Sequence, residues 1–302
     1  MNLIEWGINV TDLQAIQMDI LQEFMHVAET EQLQWFAMFG TLLGASRHGG
    51  FIPWDDDIDI ALPRPDYDKL RSIAYMFREP YFLQTPENDP AAAPRYIKLR
   101  RTDTTLISRL PNGFTSGGHM GISIDIIPLD TVPDYESAKI LQESAHRINQ
   151  QMYASAALEE YEEYMEYEKF VSTMGERIPP AIEEACMVFG GIAGYYNFFA
   201  GRYHRYCSKY AKGRYYSMPV LCGERGQRVY DKKWFKKNSE MDFEGIKIRV
   251  PDGWKQVLVA SFPDGLYKPK ASALRKMQDK YIFADAKRPF TAYLNGEVVM
   301  TV

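Results

Sequence analysis

The first part of the chain repeats its hydrophobic residues at the spacing of an α-helix. Thr11 followed by Gln14 is the pattern of a capping box, in which each side chain bonds the other residue's backbone N–H. Apolar residues then recur three or four positions apart, at Leu13, Ile16, Ile20, Leu21 and Phe24. This pattern predicts an amphipathic helix from Asp12 to about Glu31, with its apolar stripe against the core.

A continuous apolar run follows that helix and predicts a buried strand from Trp35 to Phe39. Gly40 ends the run, and the sequence from Thr41 to Arg47 predicts a short helix. Gly49 and Gly50 then break this helix.

Aspartates alternate with other residues after Pro53, at Asp55, Asp57 and Asp59. Apolar residues take the opposite parity at Ile58, Ile60 and Leu62, so a strand would bury them and present the carboxylates on its other face. Carboxylates on one face repel one another unless a cation lies between them, and Mg²⁺ prefers such oxygen ligands. The pattern predicts a metal site, and the alternative is a solvated acidic turn begun by Pro53.

Helical and strand-like patterns continue farther along the chain. Helices are predicted at 66–76 and 254–260, and strands at 96–99, 104–107, 121–127 and 243–250. In the strand at 121–127, Ile122, Ile124 and Ile126 share one face, whereas Asp125 lies on the other face with Ser123. Asp125 is therefore predicted on a polar face, as the first group of aspartates is.

Composition divides the chain into three parts. Residues 1–134 carry most of the predicted strands and the acidic residues, and are interpreted as the catalytic core. Residues 135–220 combine helix formers with acidic and basic aromatic segments, which predicts a helical insertion. Residues 221–302 return to strand-like sequence with one helix and are expected to complete the core. The predicted fold class is α+β, a mixed sheet with flanking helices and a helical insertion.

The overall composition is that of an ordinary globular protein of 302 residues, with 46% hydrophobic and 25% charged residues. The net charge of −5 lacks the basic character of nucleic-acid-binding proteins, so no nucleic-acid partner is expected. The three cysteines are widely spaced and form neither a disulfide framework nor a zinc pattern. No signal peptide and no run of about 18 to 20 apolar residues is recognised, so a cytoplasmic location is expected.

The segment around Gly40 also has features of a phosphate site. The start of the predicted helix at Gly40 and Thr41 offers backbone N–H groups and a positive dipole end. Asp57 and Asp59 can reach one metal ion or a pair of ions, and Asp125 can complete the ligand set or accept a proton. This is the equipment of metal-assisted phosphoryl transfer.

The contiguous sequence GTLLGASRHGGFIPWDDDIDIAL, from Gly40 to Leu62, closely resembles the motif of the LicD family, the bacterial phosphocholine transferases, a motif that is also shared by the fukutin and fukutin-related proteins. It is more distantly similar to the DNA polymerase β-type nucleotidyltransferase superfamily, although Thr41 stands where that pattern usually has Ser or Gly. The resemblance recurs at 95–105 and 123–128, is weaker at 245–251 and is absent from the middle of the chain. It implies a nucleotidyltransferase-like fold.

The resemblance also implies a reaction. This is the transfer of phosphocholine or a similar phospho-alcohol from a CDP-linked donor such as CDP-choline to a glycan hydroxyl, with release of CMP. The acceptor would be a cell-surface glycan or its precursor, such as lipopolysaccharide or teichoic acid. Asp57, Asp59 and Asp125 would be the catalytic and metal-binding residues for Mg²⁺ or Mn²⁺, with two ions expected. Asp55 is a further candidate ligand, or a group that supports the ligands.

Donor phosphate would be bound by Gly40, Thr41 and three cationic side chains. Arg47 could contact phosphate with two N–H groups, or could pair with an aspartate of the cluster. Lys98 and Arg100 share one face of their predicted strand and could neutralise a diphosphate, and a plain solvated face is the alternative.

A basic aromatic stretch at 202–216 suggests a further contact. It could bind an anionic or lipid-linked acceptor at the inner face of the cell membrane, as a peripheral contact. The alternative is a solvated helix whose tyrosines cover the core.

Two other functions stay open at this stage. A nucleotidyltransferase that moves a nucleotidyl group from an NTP would use the same carboxylates but a different leaving group. A catalytically inactive glycan-binding protein could keep the fold, but it would have no need for mutually repelling carboxylates.

Overall fold

The computed structural model describes residues 10–89, 96–108, 118–132, 212–218, 228–262 and 281–294. The predicted helical insertion at 135–220 lies outside the described residues except for 212–218. The division of the chain into three parts therefore stays a prediction.

The described part of the chain is an α+β structure. Its strands are β1 (Phe36–Ala37), β2 (Asp59–Pro63), β3 (Tyr81–Gln84), β4 (Ile97–Arg101), β5 (Thr105–Ser108), β6 (Ser123–Val132), β7 (Tyr215–Ser217), β8 (Val229–Asp231), β9 (Asn238–Phe243), β10 (Ile246–Pro251) and β11 (Tyr281–Asp285). Its α-helices are α1 (Val10–Thr30), α2 (Phe39–His48), α3 (Arg64–Ser72), α4 (Trp254–Ser261) and α5 (Phe290–Leu294), and short 3₁₀ helices cover Ala74–Met76 and Lys232–Phe235.

A mixed sheet organises the core in the order β1-β2-β6-β4-β3. The pairing of β2 with β6 is parallel, whereas β1–β2, β4–β6 and β3–β4 are antiparallel. The long strand β6 continues past this part of the sheet and pairs with β7, which pairs with β8. Two separate two-stranded sheets are formed by β9 with β10 and by β5 with β11.

Helix α1 packs on the sheet with the apolar stripe predicted from its sequence. Leu13, Ile20, Leu21 and Phe24 of this stripe are buried, and Ile16 is half-buried. The ring of Phe24 meets Trp35 edge-on, with a centroid separation of 5.5 Å. The predicted helix at 12–31 is therefore confirmed. Its buried stripe packs α1 against β4 and β6.

Two predicted strands are corrected by the structure. The alternating acidic segment was expected to be extended from Asp55, but β2 begins only at Asp59 and the preceding residues have no regular structure. The strand expected at 243–250 is a hairpin, because Glu244 and Gly245 have φ values of 49° and 82° and turn the chain between β9 and β10. Two consecutive positive φ values match the twist of a tight hairpin.

Among the described helices, none has both the length and the apolar character needed to span a membrane.

Candidate active site

Three consecutive aspartates lie in an irregular segment between α2 and β2, here called the acidic loop (residues 55–58). Asp55, Asp56 and Asp57 each place one carboxylate oxygen within 4.8 Å of the others. Asp56 is only 4% exposed, whereas its two neighbours are half-buried. Since the loop is not a strand, the alternation of faces does not separate Asp56 from Asp55 and Asp57.

Asp59 and Asp125 lie side by side on neighbouring strands. They are paired residues in the parallel register of β2 and β6, so their side chains leave the same face of the sheet. The backbone N–H of Asp125 donates to the carbonyl of Ile58 at 2.9 Å. Asp57 and Asp59 flank that carbonyl, so the backbone brings all three predicted catalytic aspartates to one edge of the β2–β6 pair.

Both carboxylate oxygens of Asp125 accept hydrogen bonds from β4 and the residue before it. The hydroxyl of Tyr96 donates to Oδ2 at 2.7 Å, and the ammonium of Lys98 donates to Oδ1. The Lys98 nitrogen also lies 5.1 Å from the centre of the Tyr96 ring, within the range of a cation–π contact. Lys98 therefore lies at the site, and its positive charge faces Asp125.

The first turn of α2 contacts the acidic loop. A Cβ atom on Gly40 would lie 2.5 Å from Oδ2 of Asp55, so any other residue at this position would require the carboxylate to move. The hydroxyl of Thr41 accepts a hydrogen bond from the backbone N–H of Asp59 at 2.9 Å. Phe39 enters the helix with a φ of 44°, a left-handed conformation that is uncommon for an aromatic residue and is often found at functional sites.

Two glutamine side chains of α1 donate hydrogen bonds to backbone carbonyls of the acidic loop. Gln14 donates from Nε2 to the carbonyl of Asp55 at 2.9 Å. Gln17 donates from Nε2 to the carbonyls of Asp56 at 2.8 Å and Ser123 at 3.3 Å. Gln14 was predicted as the capping-box partner of Thr11, but its amide is directed to the acidic loop.

The other predicted phosphate-binding cations lie on β4 and in the last turn of α2. Arg100 is 5% exposed, and it donates to Oε1 of Gln84 at 2.7 Å and to the carbonyl of Gly121 at 2.6 Å. Arg47 is exposed in the last turn of α2, about 10 Å along the helix from Gly40. The structure thus gathers Gly40, Thr41 and Lys98 with the aspartates, whereas phosphate binding by these residues and by Arg47 and Arg100 stays a prediction.

A histidine lies in the polar network beyond Arg100. His119 stacks on Phe82 at a centroid distance of 5.0 Å and contacts the tilted ring of Phe290 at 4.6 Å. Its Nδ1 accepts a hydrogen bond from the N–H of Gly121 at 3.1 Å. Burial and the nearby Arg100 guanidinium lower the pKa of His119 to about 4, against a smaller opposing effect of Asp89. His119 is therefore neutral near pH 7.

The carboxylates fit a divalent cation. Oxygen ligands of one Mg²⁺ lie 2.0 to 2.1 Å from the ion and hence about 3 to 4 Å from one another. The oxygens of Asp55, Asp56 and Asp57, within 4.8 Å, need only a small movement to reach such a geometry. The hard oxygen donors suit Mg²⁺ or Mn²⁺ better than softer metals.

Sequence patterns did not indicate several of the residues that build this site. The strand interpretation did not include Asp56 among the site residues, and Tyr96 and Gln17 were not considered as site residues. The one available signal was Gln17 itself, a polar residue on the apolar stripe of α1.

Comparison with known proteins finds similarity in the part of the chain that contains α2, the acidic loop and β2. Residues 32–104 match the family model for LicD/FKTN/FKRP, nucleotidyltransferase domain. The lipopolysaccharide cholinephosphotransferase LicD of Haemophilus influenzae is 34% identical over 82 residues, covering 27% of this chain and 31% of that protein. An uncharacterized protein of Rickettsia prowazekii is 33% identical over 60 residues, covering 20% of this chain and 23% of that protein.

The chain therefore carries a LicD/FKTN/FKRP family domain and is homologous to LicD in this segment. It spans less than one third of the length of these two relatives. The matched family segment includes α2, the acidic loop, β2 and β4, whereas Gln17 and Asp125 lie outside it.

Proposed function

We propose that this protein transfers phosphocholine or a similar phospho-alcohol from a CDP-activated donor to a hydroxyl of a glycan, with release of CMP. The supporting observation is the juxtaposition of Asp57, Asp59 and Asp125 beside the first turn of α2, within and next to the LicD-family segment. The proposal includes a nucleotidyltransferase-like fold, which the description of the matched family supports.

Asp57, Asp59 and Asp125 would hold Mg²⁺ or Mn²⁺, with Asp55 and Asp56 as additional ligands or supports. A bound divalent ion would neutralise the diphosphate and stabilise the charge of the departing phosphate. The aspartates in turn lose their mutual repulsion when a cation lies between them. Two ions are proposed because the carboxylates come from both the acidic loop and β6.

In the proposed reaction, the acceptor hydroxyl oxygen forms a bond to the phosphorus that carries the alcohol. The bond from that phosphorus to the bridging oxygen breaks, and CMP leaves with the bridging oxygen. In this reaction Asp125 would accept the hydroxyl proton or bind a cation, and the N–H groups of Gly40 and Thr41 would bind donor phosphate. Lys98 places a positive charge beside Asp125, where it can also neutralise the diphosphate.

A screen of donors tests the proposal. CDP-choline, CDP-ethanolamine, CDP-glycerol and CDP-ribitol are incubated with Mg²⁺ or Mn²⁺, with lipopolysaccharide or teichoic acid as acceptor, and CMP is measured. We expect CMP from at least one donor, more with its acceptor and none with EDTA. Absence of CMP from all four donors with both acceptors contradicts the proposal.

A second candidate is nucleotidyl transfer from an NTP, because the matched family is described as a nucleotidyltransferase domain. The products separate the two reactions. Pyrophosphate from CTP, without CMP from any CDP-alcohol, would favour nucleotidyl transfer. Glycan binding without either product would favour an inactive binding protein.

The cytoplasmic location, the lipid-linked acceptor and the membrane contact are proposals from the sequence. The basic aromatic stretch on which that contact depends, 202–216, lies outside the described residues except for 212–216.

A further inference from the structure

Gln17 is a polar residue in the buried face of α1. Gln17 is 1% exposed and lies on the same buried face of α1 as Leu13, Ile20 and Leu21. Burying an amide without hydrogen bonds costs free energy, so a glutamine at this position needs partners.

Its partners belong to two different segments of the site. Nε2 donates to the carbonyl of Asp56 in the acidic loop at 2.8 Å and to the carbonyl of Ser123 at 3.3 Å. Ser123 begins β6 and lies two residues before Asp125. Both partners are carbonyl oxygens, which only accept, so the nitrogen of the amide and not its oxygen faces them.

The acidic loop lacks the regular ladder of hydrogen bonds that fixes a strand. Gln14, on the preceding turn of α1, donates to the carbonyl of Asp55, so two amides of one helix hold consecutive peptide groups of the loop. Of these two amides, Gln17 also reaches β6 and thereby connects the loop to the strand of Asp125.

We propose that Gln17 is a positioning residue that sets the spacing between the acidic loop and Asp125, and thereby the affinity of the site for a divalent cation. The inference depends on the proposed function, since it assumes that these carboxylates bind the ion. Gln17 itself contacts neither cation nor donor in this role. Loss of its amide removes none of the carboxylate ligands, but it lets the acidic loop and β6, which carry these ligands, move apart.

The test is a titration of donor-free protein with Mn²⁺, followed by electron paramagnetic resonance of the free ion. Gln17→Met keeps the side-chain volume and removes both hydrogen bonds. We expect a roughly tenfold higher dissociation constant for Mn²⁺. Gln17→His retains one N–H at a similar reach and should lie between Met and the wild type. Ile20→Val is the matched control, because it perturbs the same buried face of α1 one turn away from the acidic loop contacts.

The dependence of turnover on Mn²⁺ concentration supplies a second readout, which a purely structural role of Gln17 would not change. For Gln17→Met we expect a higher Mn²⁺ requirement, with kcat largely recovered at saturating Mn²⁺. Wild-type affinity in Gln17→Met, or an equal loss in Ile20→Val, overturns the inference while leaving the proposed function intact. If Gln17→Met does not fold, the Mn²⁺ affinity of Gln17→His is compared with that of the wild type and Ile20→Val instead. Wild-type protein that binds no Mn²⁺ overturns both the inference and the proposed metal site.

Discussion

At the scale of single residues, the acidic site is a place where charge is concentrated at the expense of local stability. Asp55, Asp56 and Asp57 repel one another when no cation is present. Asp59 and Asp125 add two further carboxylates at the start of the β2–β6 pair. Function and stability should therefore respond in opposite directions when one carboxylate is removed.

We predict that Asp57→Asn and Asp59→Asn each lower kcat/KM for the CDP-linked donor at least a hundredfold, or by about 3 kcal/mol of transition-state stabilisation. Metal-free stability, measured by urea unfolding in EDTA, should be unchanged or higher because repulsion decreases. Asp242→Asn is the control, since Asp242 forms an exposed pair with Lys247 outside the site. Near-normal turnover in both site variants would contradict the assignment.

His119 gives a pH dependence with a definite sign. Its pKa is about 4 in the folded protein and 6.5 in the unfolded chain, so the unfolded chain binds the extra proton between these values. The free energy of unfolding should therefore decrease as the pH falls from 6.5 to 4, by up to roughly 3 kcal/mol from this residue. Above about pH 7.5, where His119 is neutral in both states, it should contribute no slope.

His119→Asn isolates this effect, because the amide oxygen can still accept from the N–H of Gly121. Urea unfolding of both proteins is measured from pH 7.5 to 4. The stability difference should shift in favour of the variant as the pH falls below 6.5. A constant difference across the range would show that His119 is not protected from protonation.

Residue patterns predicted the face of Asp125 correctly for a physical reason. The parity of Ile122, Ile124 and Ile126 requires Asp125 on the opposite face, and the three isoleucines are buried whereas Asp125 is half-buried. The same argument was wrong for the acidic loop. Residues 55–57 are outside the sheet, so pleating does not decide where Asp56 points.

At the scale of elements, the contact between α2 and the acidic loop depends on the absence of a side chain at Gly40. Gly40→Ala places a Cβ atom 2.5 Å from Oδ2 of Asp55 and must displace this carboxylate. Alanine is itself favourable in a helix by roughly 1 kcal/mol over glycine. We therefore predict weaker Mn²⁺ binding and lower turnover with little change in thermal stability.

Gly49→Ala, at the other end of α2, is the matched control. Gly49 has a φ of 62° with no atom within 4 Å of an added Cβ, so only backbone strain of roughly 1 kcal/mol is expected. This variant should lose stability and keep Mn²⁺ affinity, the reverse of Gly40→Ala. Equal Mn²⁺ affinity in Gly40→Ala and the wild type would show that Asp55 does not need its present position.

The β9–β10 hairpin shows why element boundaries were harder to predict than elements. Its turn residues Glu244 and Gly245 interrupt a run that alternates like one strand, and Gly245 was the only local signal of a turn. The turn docks on the chain after α2, where Glu244 donates its N–H to Gly49 and accepts from the N–H of Phe51, both at 2.9 Å. Such contacts between distant segments are absent from local patterns.

At the scale of the whole molecule, a buried ion pair connects α3 to the sheet. Arg64 donates to both carboxylate oxygens of Asp130, at 2.6 and 2.9 Å, and the side chains are 5% and 0% exposed. We predict that Asp130→Asn lowers the free energy of unfolding by roughly 3 to 5 kcal/mol, because the buried guanidinium loses its closest carboxylate and keeps only the more distant Asp68, at 3.4 Å.

Urea unfolding measures this loss, and Asp242→Asn at the exposed pair should cost at most about 1 kcal/mol. The double variant Arg64→Met with Asp130→Leu should recover much of the stability, because well-packed apolar residues can replace a buried pair. A loss of less than about 1 kcal/mol for Asp130→Asn would contradict the structural role of the pair.

The assembly of the site from segments far apart in sequence explains what could not be predicted. The motif at 40–62 indicated the chemistry and the family, because its residues are contiguous. Gln17 and Ser123 are 106 positions apart, and their contact follows only from the packing of α1 on the sheet. The polar residue on an apolar helix face was visible, but its partners were not.

Binding of the donor is the most direct test of the central claim, which is that the aspartates recruit a diphosphate through a divalent cation. CDP-choline, or the donor that releases CMP in the screen, is titrated calorimetrically into wild-type protein and Asp59→Asn, with Mn²⁺ or with EDTA. We predict that the donor binds to the wild type when Mn²⁺ is present but not in EDTA. In Mn²⁺, its binding to Asp59→Asn should be at least tenfold weaker. Equal donor affinity in EDTA and in Mn²⁺ would contradict the account.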